Sequence, residues 1–115
     1  MKRYHRVDSE AVLEQASDHS MREPVVLFKH SVMCGISHRA RREIEQLTQD
    51  ADPPVYEVVI QDARSLSNKI ASAFNIRHQS PQVIVLHHGQ PVFNASHGRV
   101  TAEAVRAAVE NATTV

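Results

Sequence analysis

Short apolar runs alternate with amphipathic segments along the whole chain, and this alternation limits the possible fold more than any other feature. Residues 25–28 are apolar at every position, as in a strand that is buried on both faces. After Cys34, apolar residues recur at spacings of four, four and three, which is the period of one helix face: Ile36, Ala40, Ile44 and Leu47. The sequence therefore predicts a buried strand that leads into an amphipathic helix.

The same alternation continues on both sides of this pair. Four further strands are predicted, at residues 3–7, 55–60, 83–86 and 91–94. Three further helices are predicted, each beginning near a residue that can cap it: Asp8 or Ser9, Ser65, and Thr101. Residues 87–90, His-His-Gly-Gln, have the composition of a turn, so the last two strands are expected to form a hairpin.

The predicted order, β-α-β-α-β-α-β-β-α, indicates an α/β fold with a mixed central sheet and helices on both faces. A terminal hairpin followed by a helix, in a chain of 115 residues, is typical of the thioredoxin-like arrangement. No repeat, low-complexity tract or linker divides the sequence. We therefore expect residues 1–115 to form a single thioredoxin-like domain.

The composition argues against several functional classes. Thirteen basic residues balance thirteen acidic ones, so the charge gives no reason to expect nucleic acid or a membrane surface as partner. No apolar run approaches the roughly 18 residues of a membrane helix, and the basic start is not followed by the apolar stretch of a secretory signal. A single cysteine cannot form an intrachain disulfide and fits a reducing compartment, so we expect a cytoplasmic location.

Cys34 is the main candidate for chemistry, because it stands where the predicted strand gives way to the predicted helix. The first turn of a helix offers unpaired N–H groups, here those of Ile36 and Ser37, and a partial positive charge. Both favour the thiolate, which is the nucleophilic form of cysteine, and three basic residues lie near in sequence: Lys29, His30 and His38. A lone cysteine is more often a small buried hydrophobe, but the polar neighbours of Cys34 argue for a functional thiol.

Two other positions belong to the same predicted site. Ser37 occupies the place of the second cysteine in dithiol proteins, so the chemistry is expected to be monothiol; the alternative is an ordinary first-turn residue that bonds locally. The Ser80-Pro81 bond is expected to be cis, because a cis-proline precedes the strand beside the active-site helix in thioredoxin-like folds. The alternative is a trans proline at the start of a strand.

The eight histidines do not form a metal-binding pattern, and no metal site is expected. His87 and His88 are interpreted as solvated turn residues. His97 precedes the last helix and either orients a carboxylate of a bound thiol or caps local structure. Three arginines of one helix, Arg39, Arg41 and Arg42, form a solvated face or steer an acidic thiol or protein partner.

Several segments together resemble the YtxJ-like monothiol bacilliredoxins, from about residue 25 to residue 108. The resemblance depends on Phe28-Lys29-His30-Ser31, Cys34, Ile36-Ser37, Ser67-Asn68, His78-Gln79-Ser80-Pro81-Gln82, Ala95-Ser96-His97 and Thr101. It implies a thioredoxin-like fold and a role in bacillithiol redox biology.

The resemblance also implies an activity. Cys34 would attack a protein capped by bacillithiol as a mixed disulfide and take over the thiol, and a second thiol molecule would release it. The implied partners are S-thiolated client proteins and a low-molecular-weight thiol as co-substrate, with no cofactor tightly bound. The implied site residues around catalytic Cys34 are Lys29, Gly35, Ile36, Ser37, Ser80, Pro81, Gln82 and His97.

One departure from the family pattern keeps alternatives open. The family stretch reads Thr-Cys-Pro-Ile-Ser, whereas residues 33–37 here read Met-Cys-Gly-Ile-Ser, so Gly35 replaces a proline that pre-organises the first helical turn. The change resembles the Cys-Gly-Phe-Ser of monothiol glutaredoxins, which use glutathione and can share an iron–sulfur cluster between two chains. The alternatives are therefore an iron–sulfur carrier and a non-enzymatic adaptor that kept the fold for protein binding.

Overall fold

The computed structural model describes residues 3–33 and 35–114 of the chain; Cys34, the predicted nucleophile, lies outside the described residues. Five strands are present: β1 (Tyr4–Arg6), β2 (Val25–His30), β3 (Val55–Val59), β4 (Gln82–His87) and β5 (Gln90–Ser96). Four α-helices connect or follow them: α1 (Glu10–His19), α2 (Gly35–Ile44), α3 (Arg64–Phe74) and α4 (Ala102–Thr113). A short 3₁₀ turn, His97–Arg99, precedes α4. The predicted order of elements is confirmed.

The five strands form one mixed sheet in the order β1-β3-β2-β4-β5. β1, β3 and β2 run parallel, which requires crossover helices, whereas β2 pairs antiparallel with β4 and β4 with β5. The β4–β5 hairpin turns at His88 and Gly89, whose φ angles of 55° and 75° match the positive values that a tight hairpin turn needs. The predicted hairpin is confirmed.

Alternate residues of the central strands face opposite layers of helices, and each layer has its own core. Val25 and Leu27 of β2 pack with α1 and α3, whereas Val26 and Phe28 pack with α2 and α4. All six residues of β2 are buried, because this strand is covered on both faces. None of the described helices is long and apolar enough to cross a membrane.

Two of the three predicted helix caps are confirmed. The hydroxyl of Ser9 accepts from the amide of Val12 at 3.3 Å, and that of Thr101 accepts from the amide of Ala104 at 3.1 Å. The prediction for Ser65 is wrong, since α3 begins at Arg64. A tight turn after β3, in which the amide of Ala63 donates to the carbonyl of Val59, already starts the helix one residue before Ser65.

Ile36, which the helical spacing predicts on the inner face of α2, lies at the surface instead. It is 48% exposed, because it stands in the first turn of α2 beside a cavity. α2 ends at Ile44, earlier than the apolar periodicity predicts. Leu47 nevertheless packs against the core under α2, because a turn follows the helix directly.

Candidate functional site

The loop that leads from β2 toward α2 is held by side chains on both sides. The Ser31 amide donates to the Ser37 hydroxyl at 3.1 Å, and the Val32 amide donates to Gln61 Oε1 at 3.2 Å. Gln61 Nε2 in turn donates to Ser31 Oγ at 2.6 Å, and His38 Nε2 lies 2.9 Å from the Val32 carbonyl. The chain on the N-terminal side of Cys34 therefore has a defined path.

Ser37 is fully buried in the first turn of α2, and its hydroxyl accepts a hydrogen bond from the Ser31 amide in the loop before the helix. Its side chain therefore lies below the surface instead of lining a binding groove. The hydrogen bond from Ser31 is the local bonding that the alternative interpretation of Ser37 predicts. It is compatible with the monothiol interpretation, because a serine cannot act as a resolving thiol in either case. Gly35, the first residue of α2, is exposed, and a Cβ at this position would meet no described atom within 4 Å.

Exposed apolar side chains surround position 34 in the sequence. Met33 is 83% exposed, and Val32 and Ile36 are 47% and 48% exposed. Large apolar side chains clustered at the surface of a small protein mark a contact region for another molecule.

Three of the predicted binding residues come together on one flank of α2. A cavity of about 250 Å³ is lined by Ile36 and His97, together with Arg39, Glu43 and Thr101. The amide of His97 donates to the carbonyl of Pro81 at 2.9 Å, so the cavity adjoins the loop of residues 75–81, here called the proline loop. The Ser80-Pro81 bond is cis, as predicted.

His97 itself adopts a left-handed backbone conformation with φ of 56°, which a residue with a side chain adopts at an energetic cost. Its side chain is exposed beside the cavity. Strained backbone of this kind concentrates at binding sites, and the signal is visible only in the folded chain.

Lys29 and Gln82, two other predicted binding residues, are buried on the opposite face of the sheet, where they pair in register between β2 and β4. Lys29 Nζ lies 3.1 Å from His78 Nδ1 and 3.5 Å from the Ser67 carbonyl. Burial lowers the pKa of Lys29 to about 8. The pKa of His78 is also lowered, mainly by burial and to a smaller extent by the nearby Lys29 charge.

The contacts of Gln82 tie the same cluster to the proline loop. Its Nε2 donates to the Arg77 carbonyl at 3.0 Å, whereas its Oε1 has no partner among the described residues. Ser80 Oγ is likewise buried without a described partner. Lys29 and Gln82 thus support the proline loop from beneath, and direct contact of either residue with a substrate stays a prediction.

Glu57 is a functional candidate that the sequence analysis missed. This buried carboxylate of β3 accepts from the Tyr4 hydroxyl at 2.9 Å and lies 2.5 Å from His30 Nε2. Burial alone would raise the pKa of Glu57, but the hydrogen bonds from His30 and Tyr4 and the nearby Arg41 charge hold it below its ordinary value. A single carboxylate inside the apolar stretch 55–60 was the available signal.

The comparison with protein families gives one match that covers most of the chain. The model of the family described as monothiol bacilliredoxin BrxC matches residues 5–105. The match therefore includes the loop before Cys34, the proline loop and the cavity beside His97.

Solved structures agree with the fold. One, described as a candidate oxidoreductase with a thioredoxin fold, has a TM-score of 0.83 and 28% identity, covering 91% of this chain and 92% of that chain. A mutant thioredoxin from Halobacterium salinarum has a TM-score of 0.76 and 19% identity, covering 97% of this chain and 92% of its own. Thioredoxin from Fasciola hepatica has a TM-score of 0.71 and 14% identity, covering 93% of this chain and 97% of its own.

The thioredoxin fold and the family match agree with the arrangement of the site. The one cysteine of the sequence directly precedes α2, a buried serine stands three residues after it, and a cis-proline adjoins the cavity on the flank of that helix. Together these findings support a thiol oxidoreductase, and the chain belongs to the monothiol bacilliredoxin family.

Proposed function

We propose that the protein is a monothiol thiol–disulfide oxidoreductase that removes bacillithiol, or a similar low-molecular-weight thiol, from protein mixed disulfides through Cys34. One observation carries the monothiol assignment. Cys34 is the single cysteine of the sequence. Ser37 stands in the place of a resolving cysteine, is buried, and accepts a hydrogen bond from the Ser31 amide. An external thiol must therefore complete the reaction.

The reaction balances in two exchange steps. In the first, the Cys34 thiolate attacks the small-thiol sulfur of the mixed disulfide; a disulfide forms between Cys34 and the small thiol, and the client leaves as a thiolate that takes up a proton. In the second, the thiolate of another small-thiol molecule attacks that sulfur, so the Cys34 thiolate is regenerated. The small thiol is thereby oxidised to its symmetric disulfide, and the client cysteine is reduced.

The start of α2 supports the thiolate form that both steps need. The helix begins at Gly35, immediately after Cys34 in the sequence, and its first turn contains no acidic residue. Unpaired N–H groups and the partial positive charge at a helix start stabilise an adjacent thiolate.

The surroundings support a protein as one substrate and a small thiol as the other. The exposed side chains of Val32, Met33 and Ile36 offer an apolar contact area for a client. The cavity beside His97, of about 250 Å³, offers room for part of a small polar molecule. Because regeneration of Cys34 consumes reduced small thiol, we propose that the reaction takes place in the cytoplasm, where thiols are kept reduced.

The test uses a purified client protein with one cysteine, capped either with bacillithiol or with glutathione. We expect the wild-type chain to release the client thiol when free bacillithiol is present, faster from the bacillithiol cap than from the glutathione cap. The Cys34→Ser variant should release no more than the slow uncatalysed exchange with free bacillithiol, because it lacks the nucleophile. Equal release by wild type and Cys34→Ser would contradict the proposal.

A second variant tests the monothiol step. With free thiol withheld, intact mass spectrometry of the wild type should show the small thiol attached to Cys34. In Ser37→Cys the adduct should disappear and leave a chain two hydrogen atoms lighter, because the introduced thiol attacks the mixed disulfide from within the chain. A wild-type chain that loses its adduct as fast as Ser37→Cys would argue against the monothiol reaction.

A further inference from the structure

A second cavity, of about 350 Å³, lies on the other flank of α2 and is mostly basic. Its lining residues are His30, Val32, His38, Arg41, Arg42 and Glu45; we call it the basic pocket. In the sequence Val32 stands two residues before Cys34 and His38 four residues after it. The pocket therefore begins at the loop and helix that frame the reactive thiol.

The basic pocket is distinct from the cavity beside His97. Residues 38, 41, 42 and 45 recur at helical spacing and share one flank of α2, whereas residues 36, 39 and 43 line the other cavity. The buried stripe of the helix, Ser37, Ala40 and Ile44, lies between the two flanks. A substrate disulfide at the start of α2 would have a groove for one of its halves on each side.

His30 gives this pocket a buried polar group that lacks a partner. The residue is 2% exposed, and its Nε2 lies 2.5 Å from Glu57 Oε2. Its Nδ1 is buried and has no hydrogen-bond partner among the described residues. Because the Nε2–H donates to Glu57, Nδ1 can donate a hydrogen bond only in the imidazolium form, and an oxyanion that reaches that form would satisfy this buried group.

The charges of the pocket favour an anion. Arg41 Nε lies 3.3 Å from Glu45 Oε2 and 3.7 Å from Glu57 Oε2, so this guanidinium has acidic neighbours. Arg42 is exposed and forms no ion pair within residues 3–33 and 35–114. The lining has two arginines and one glutamate, and Arg41 is shared between Glu45 and the buried Glu57, so Arg42 is the cation that favours an anion here. Guanidinium groups bind carboxylates and other oxyanions through paired N–H donors.

We propose that the basic pocket binds a carboxylate, or a similar small oxyanion, of the disulfide substrate while Cys34 reacts with it. The carboxylate belongs either to the small thiol or to an acidic side chain of the client near its capped cysteine. The link to a disulfide substrate rests on the proposed function, but anion binding itself does not need the thiol.

Binding is tested first in the Cys34→Ser chain, with succinate as the probe and sodium chloride at equal ionic strength as the reference. We expect saturable NMR shifts of the His38 imidazole and the Val32 amide. Adding Arg42→Gln should weaken succinate binding about fivefold, the effect of roughly 1 kcal/mol from one partly exposed charge. Adding Glu45→Gln should strengthen binding by a similar factor, because it removes a competing carboxylate.

The matched control is Arg22→Gln, which removes the same charge from an exposed position that does not line the pocket. The proposal is overturned if the shifts fail to saturate, or if Arg42→Gln and Arg22→Gln weaken binding equally. Since this experiment lacks the nucleophile, it separates failure of the pocket from failure of the proposed reaction.

The source of the carboxylate is tested by the reaction rates of the wild type and Arg42→Gln, with Cys34 intact. Peptides with an acidic or a neutral residue beside the cysteine are capped with glutathione, which is anionic, or with mercaptoethanol, which is neutral. If Arg42→Gln lowers kcat/KM mainly for substrates with the glutathione cap, the pocket binds the small thiol. If it lowers kcat/KM mainly for peptides with the acidic residue, the pocket binds the client. An equal loss for the fully neutral substrate would overturn the proposal.

Discussion

Lys29 brings an ammonium group into the protein interior without a carboxylate to pair with it among the described residues. Within residues 3–33 and 35–114 its hydrogen-bond partners are the Ser67 carbonyl and His78 Nδ1, and burial lowers its pKa to about 8 from an ordinary value of 10.5. The position is thus a source of instability beneath the proline loop. Such a cost is typical of residues that are retained for something other than stability.

The lowered pKa of Lys29 predicts how the free energy of unfolding depends on pH. Between pH 8 and 10.5 the unfolded chain holds more protons at this residue than the folded chain, so the free energy of unfolding should rise with pH in that window. Across the full window the rise is on the order of 3 kcal/mol. Lys29→Met should remove it and should stabilise the protein at pH 7.

Urea denaturation from pH 7 to 10 measures this difference, in the Cys34→Ser background so that the thiol does not titrate. Lys69→Met is the control, because Lys69 is exposed and pairs with Glu10 at the surface. Parallel pH curves for the parent chain and Lys29→Met would contradict the prediction.

The N-terminus of α4 is an element boundary that two parts of the chain build together. The Thr101 hydroxyl accepts from the Ala104 amide, and Glu43 of α2 accepts from the Ala102 amide at 3.0 Å. Both satisfy N–H groups that a helix start leaves unpaired, and the glutamate charge also favours this end of the helix. The same two residues line the cavity beside His97, so the capping contacts also shape that cavity.

Two substitutions of Glu43 should separate the hydrogen bond that its side chain accepts from the effect of its charge. Glu43→Ala should lower the free energy of unfolding by about 1 kcal/mol, because it leaves the Ala102 amide without its partner. Glu43→Gln should cost less, because the amide oxygen can still accept from Ala102. Urea denaturation provides both values, with Glu14→Ala at an exposed position of α1 as the reference. A Glu43→Ala cost no larger than that of Glu14→Ala would refute this role.

At the scale of the whole molecule, Glu57 connects β1, β2 and α2 around one buried charge. It accepts from Tyr4 of the edge strand, faces His30 of the central strand, and lies 3.7 Å from Arg41 Nε of the helix. β1 is only three residues long and lies at the sheet edge beside β3, so the Tyr4–Glu57 contact adds a side-chain bond to its backbone pairing. The buried carboxylate thus couples the sheet edge to the layer that contains the basic pocket.

Glu57→Gln should destabilise the fold by roughly 3 kcal/mol, because it leaves the groups around it without the carboxylate that they surround. The pKa of Glu57 is lowered in the fold, so its stabilisation is present above the unfolded pKa near 4.5 and is lost as the pH falls through the lower folded value. The wild type should therefore lose stability in acid more steeply than Glu57→Gln.

Hydrogen exchange locates the effect. In Glu57→Gln the amides that bind β1 to β3, including the Val55 amide that donates to the Arg3 carbonyl, should lose protection before those of β2 and β4. A uniform loss of protection across the sheet would show that Glu57 does not act through the edge strand.

The structure corrects the sequence-based expectations mainly where side chains from distant segments meet. Ile36 has the helical spacing of a core residue, yet it is 48% exposed, because the chain beside the first turn of α2 leaves a cavity. Ser65 has the chemistry of a cap, but a turn set by Val59 and Ala63 starts α3 earlier. Local pattern cannot predict either outcome, since both depend on where another segment lies.

The sequence by itself determined the order of strands and helices, the hairpin, and the position of Cys34 and Ser37 relative to α2. These features depend on apolar periodicity and turn chemistry, which act over a few neighbouring residues. Only the tertiary structure decided that Lys29 is buried beneath the proline loop and that His30 meets Glu57 beside a basic pocket. Adjacent strand residues face opposite sides of the sheet, and only packing shows which partners each side provides.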